Sequence, residues 1–162
     1  MTASGQHGQR RHGPGQHGPG QHGPGQHSEL PAELADLLRE IVPPGGGFGH
    51  RQHIQLAYLT VRRYGTGEAA VRLGAWLRHI TAYAKAPQKY NATVTRAWTE
   101  LVGYHVEADG QAGDFELFAS QHPALLDKRL LSRHYRSVTL ASMAARTGWV
   151  QPDLTPFPWM EG

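Results

Sequence analysis

The stretch TGEAAVRLGAWLRHITAYA, residues 66–84, decides the fold. Its apolar side chains, Ala69, Ala70, Leu73, Trp76, Leu77, Ile80, Tyr83 and Ala84, recur at three- and four-residue steps and so line one face of an α-helix. Thr66 is placed to cap that helix and Pro87 to close it. Upstream, from about residue 49 to 64, His50, His53, Ile54, Ala57, Val61 and Tyr64 trace one face, with Arg51, Gln55 and Arg62 off it. Before that, Leu30, Leu34, Leu37, Leu38 and Ile41 mark a helix with Pro31 in its opening turn, Ser28 as a plausible cap, and an end at Pro43, Pro44 and the glycines 45–47. Downstream, Asn91 reads as the N-cap of a fourth helix with the stripe Val94, Ala97, Trp98, Leu101, Val102 and His105, stopping before Asp109 and Gly110.

Shorter helices are expected at about residues 114–121 and 123–135, with a capped turn over 137–146. No segment alternates convincingly at period two. The expected fold class is therefore all-α: a single compact bundle of about five or six helices with the second, third and fourth at its centre. Residues 151–162 read as an extended, Pro-rich end in which Phe157 and Trp159 can dock back on the bundle; together with Trp149 they suit a homodimer contact equally well.

Residues 28–162 form one helical domain by this reading, and residues 1–27 a separate low-complexity tail. His7, His12, His17, His22 and His27 stand one every fifth residue in a Gly/Pro/Gln background without a Leu, Ile or Val side chain before Leu30. Such a composition cannot repay the entropy of ordering, so the tail is expected to be disordered. Its imidazoles could chelate Ni, Cu or Zn loosely, with little selectivity.

Of the 16 Lys and Arg residues, Arg10 and Arg11 lie in the tail, whereas all 13 acids lie from Glu29 onward. The body is thus nearly neutral, and the basic isoelectric point gives no reason to expect nucleic acid as a partner. Absence of cysteine excludes disulfides, thiolate catalysis and Cys-ligated zinc. With no long apolar run and no signal-peptide pattern, the expectation is a cytoplasmic protein without membrane association.

Two constellations carry candidate chemistry. His50 and His53 lie three residues apart on one helix, so their imidazoles could share acid and base roles or a metal. Lys89, Tyr90, Asn91, Thr93 and Arg96 cluster at a helix start, where free backbone N–H groups favour an anion. The plainer reading is that Asn91 caps, Thr93 supports it, Lys89 and Arg96 are solvated and Tyr90 packs. Tyr64 closes the histidine face and is added as a substrate contact, and His105 as a third metal ligand beside His50 and His53.

The motif Phe48-x-His50-Arg51-x-His53, followed by Lys89-Tyr90-x-x-Thr93-Val94-Thr95-x-Ala97-Trp98 and by Leu125 to Lys128, resembles a family of small uncharacterised bacterial helical proteins over most of residues 45–155. The resemblance implies a shared pocket and no nameable activity. In that pattern a histidine follows Lys-Tyr, whereas Asn91 stands here, so a three-histidine site drawn from both motifs would lose a ligand.

The expected function is a small-molecule enzyme, of the tailoring kind found in biosynthesis, with His50, His53 and Tyr90 as catalytic groups. Lys89, Asn91, Thr93, Arg96 and Tyr64 would bind an anionic or carbonyl-containing substrate for isomerisation, elimination, hydration or cyclisation, with no cofactor required. The alternative is a first-row divalent metal (Ni, Cu, Zn or Fe) on His50, His53 and His105, in an enzyme or a metal-handling module that the histidine tail loads.

Overall fold

The computed structural model describes residues 30–83, 85–110 and 113–162, with Tyr83 described by its backbone alone. The tail 1–27 and Ser28 lie outside the described residues. The protein is all-α, with no strand among the described residues. The helices in chain order are α1 (Ala32–Ile41), α2 (His50–Tyr64), α3 (Thr66–Tyr83), α4 (Ala92–Asp109), α5 (Phe115–Gln121), α6 (Ser137–Leu140) and α7 (Met143–Thr147). None is long and apolar enough to cross a membrane.

The helix ends follow local chemistry. Pro31 precedes α1, and its carbonyl takes the Ala35 N–H at 2.9 Å; its preset φ of −49° already suits a helix start. α2 opens at His50 because the Gly49 amide is held by Gln52 Oε1 at 3.0 Å, and it stops at Gly65, whose φ of 80° favours glycine. The expected Thr66 cap is not formed. The first backbone bond of α3 runs from Ala69 N to the Gly65 carbonyl, and Thr66 instead directs its hydroxyl at Glu107. Asn91 does cap α4, its Oδ1 accepting from Val94 N at 3.0 Å.

The expected helix over 123–135 is two short 3₁₀ turns, Pro123–Leu126 and Lys128–Arg133. Asp127 separates them: its backbone is extended, and its carboxylate accepts the Arg129 N–H at 3.0 Å, ending one turn and capping the next. Ser142 likewise divides 137–147 by capping α7 through Ala145 N at 3.1 Å.

α2, α3 and α4 pack against one another at the centre. α2 buries Leu56, Tyr58 and Thr60 besides the expected Ile54, Ala57 and Val61, because it is covered by α1 and α5 as well as by the other two central helices. α3 and α4 approach closely at Gly103, where a Cβ would lie 2.2 Å from Thr66 Oγ1. The C-terminal segment folds back on the bundle: Phe157 is fully buried, tilted against His134 at 4.2 Å and parallel to Trp159 at 4.7 Å. Thr93, also fully buried, pins that segment to α4 by donating to the Gly148 carbonyl at 2.6 Å and accepting from Val150 N at 3.1 Å.

Candidate functional site

On an α-helix each residue turns the direction of its side chain by about 100°. Arg96, Glu100, Gly103 and Glu107, spaced at four, seven and eleven residues, therefore share one face of α4, while Trp98 and His105 point the other way. That geometry divides the expected site in two.

His50 lies on the Trp98 side. Its ring meets the Trp98 indole edge-on at 4.6 Å, and its Nε2 donates to the Leu125 carbonyl at 2.9 Å. A carbonyl only accepts, so the neutral ring keeps Nδ1 as its acceptor. His53, one turn on, is half-buried near Phe48. Burial first, and the neighbouring His50 second, push its imidazole down to about 4, so it is neutral at ordinary pH.

The polar cluster at the α4 start is put to two uses. Asn91 is fully engaged: besides capping, its Nδ2 donates to the Leu140 carbonyl at 2.7 Å. Thr93 holds the C-terminal segment. Both are thereby structural, and Asn91 supplies one acceptor and one donor that meet α4 and α6 together. Lys89 is exposed in the 3₁₀ turn Pro87–Lys89. Tyr64 stands far off, roughly 21 Å along the α2 axis from His50. There it donates to Glu33 of α1 and lies under the Arg72 guanidinium at 3.9 Å, tying α1 to α2 and α3.

Tyr90 and Arg96 are the two candidates that reach a cavity together. Two clefts of about 400 and 420 Å³ share Thr66, Arg96, Glu100 and Trp149 and so form one groove along α4. One wall is α3, where Gly67, Ala70 and Gly74 leave room by their small size. The other is the returning C-terminal segment with Trp149 and Trp159. Such volumes suit a small organic ligand.

The groove is polar along its floor and aromatic along its sides. Arg96 pairs with Glu100 through Nε at 2.7 Å and lies over the Trp149 ring at 4.4 Å. At one end Arg78 lies over Tyr90 at 5.2 Å and has no carboxylate partner among the described residues. At the other end Glu107 accepts the Thr66 hydroxyl at 2.8 Å, and Tyr104 stands 5.6 Å from Trp159. Neither His50 nor His53 lines either cleft.

Among the described residues no three His, Asp or Glu side chains come together as a metal site. The expected trio is not assembled, because His105 faces His122, at 4.3 Å between rings, rather than His50 and His53. His122 in turn contacts Asp109 at 2.5 Å. Burial and then His122 lower the His105 pKa, against the opposing pull of Asp109.

Sequence reading missed Arg78, Glu100, Tyr104 and Glu107 as members of one surface. The charges at 96, 100 and 107 repeat at helical spacing and were a usable signal, but a charged helix face usually means solvent. What makes it a groove is the C-terminal segment, which crosses from more than 40 residues away. Comparison with protein families, curated proteins and solved structures finds no match, so the groove is read from its own chemistry.

Proposed function

We propose that the protein binds a small molecule in the α3–α4 groove and receives an anionic or carbonyl group of that molecule at the Arg78, Tyr90 and Arg96 end. The observation that carries this reading is the pair of joined clefts with Arg96 on their shared wall. Arg78 is a cation without a carboxylate partner among the described residues, and the Tyr90 phenol beside it can donate. If the bound molecule is transformed, by isomerisation, elimination, hydration or cyclisation, the proton-transfer groups at hand are Tyr90, Glu100, Tyr104 and Glu107. His50 and His53 face elsewhere, and an imidazole held at about 4 is a weak base at neutral pH.

Calorimetric titration with benzoate, a planar carboxylate small enough for the groove, tests the reading. Arg78→Ala and Arg96→Ala should each weaken binding by about tenfold. Unchanged affinity in both variants contradicts it.

The His50–His53 pair supports a second reading as a two-imidazole site for Ni, Cu, Zn or Fe. It is favoured by the free Nδ1 of His50 and the neutrality of His53. The full chain with the five tail histidines replaced by alanine should then still bind zinc, and His53→Gln in that background should abolish it. No zinc bound before that second change refutes the site.

A further inference from the structure

We propose that the Glu107 end of the groove holds the ammonium group of a small organic cation, in a subsite separate from the one that receives an anionic or carbonyl group at Arg78. The inference rests on the groove being the ligand site.

Charge gives the first argument. Of the two carboxylates facing this cleft, Glu100 is held by Arg96 at 2.7 Å. Glu107 receives only the Thr66 hydroxyl, and no Lys, Arg or His among the described residues pairs with it. It also lies in the last turn of α4, which has no basic residue. The final carbonyls of a helix concentrate partial negative charge, and cations are favoured there.

The aromatic walls give the second. Trp159 and Tyr104 stand 5.6 Å apart beside Glu107, and the Trp149 face already carries the Arg96 guanidinium at 4.4 Å. Indole and phenol faces attract alkylammonium groups through the ring quadrupole, and a nearby carboxylate adds its full charge. The groove thus runs from Arg78, without a carboxylate partner, to Glu107, without a cationic partner among the described residues, and the two ends lie about 18 Å apart along α3 as counted from Arg78 to Thr66, so they are separate subsites.

Choline and its uncharged isostere 3,3-dimethyl-1-butanol separate charge from shape, and benzoate reports the opposite end. All are titrated into the full chain by calorimetry. Choline should bind at least about tenfold more tightly than the isostere. Glu107→Gln, which keeps an acceptor for Thr66, should remove that preference while leaving benzoate affinity unchanged. Equal binding of choline and isostere, or undiminished choline binding to Glu107→Gln, overturns the cation site while benzoate binding would leave the groove reading standing. Binding of neither choline nor benzoate overturns both.

Discussion

Burial in the first turn of α2, with the His50 ring close by, lowers the His53 imidazole to about 4 from its ordinary 6.5. Above about pH 6.5 the ring is neutral in folded and unfolded chains alike. Between 6.5 and 4 the unfolded chain takes up a proton that the folded one does not, so stability falls as pH drops through that window. The loss amounts to at most about 3 kcal/mol. His53→Gln should therefore flatten the difference between urea midpoints at about pH 7 and about pH 4.5 relative to the parent chain. An unchanged difference would mean that His53 is not held neutral. Thr93 makes a second case. Replacing it with valine leaves the half-buried Val150 N–H and Gly148 carbonyl without their partner and should cost about 1–3 kcal/mol in denaturant unfolding, while Thr93→Ser should cost much less. The capping role of Asn91 was legible because a cap acts within one turn. That of Thr93 was not, since its partners lie 55 and 57 residues away.

The apolar stripes of α1 to α4 carry enough period to reveal four helices without any tertiary information. Their boundaries were less legible where a side chain answered a distant group: Thr66, read as a cap, is drawn off by Glu107, and Asp127 breaks an apparently continuous helix by capping its second half. Gly103 shows the same limit. In an isolated helix, glycine to alanine gains about 1 kcal/mol. Here the added methyl would meet Thr66 at 2.2 Å, in the seam between α3 and α4. Gly103→Ala should destabilise the fold by roughly 1–3 kcal/mol despite the better helix former, and Thr66→Ser in the same chain should recover part of the loss. Thermal unfolding of the two variants checks this, and a more stable Gly103→Ala would show that the two helices do not approach as described.

The bundle's all-α class was readable in the pattern of its helices, and the docking of its last residues in their aromatic content. The groove was not readable, because it exists only where residues 149–160 cross α4. Phe157 anchors that crossing, fully buried against His134 and Trp159. Phe157→Ala should cost about 3–5 kcal/mol and weaken any groove ligand together with the fold. Four tryptophans report on the two rival places for a site: Trp149 and Trp159 line the groove, Trp98 lies against His50, and Trp76 is in the core. The most direct measurement follows their indole N–H signals by two-dimensional NMR while benzoate is added. Binding in the groove predicts that the Trp149 and Trp159 signals move and those of Trp98 and Trp76 stay. Movement of Trp98 with Trp149 and Trp159 unchanged would contradict it and return the site to the histidine face of α2.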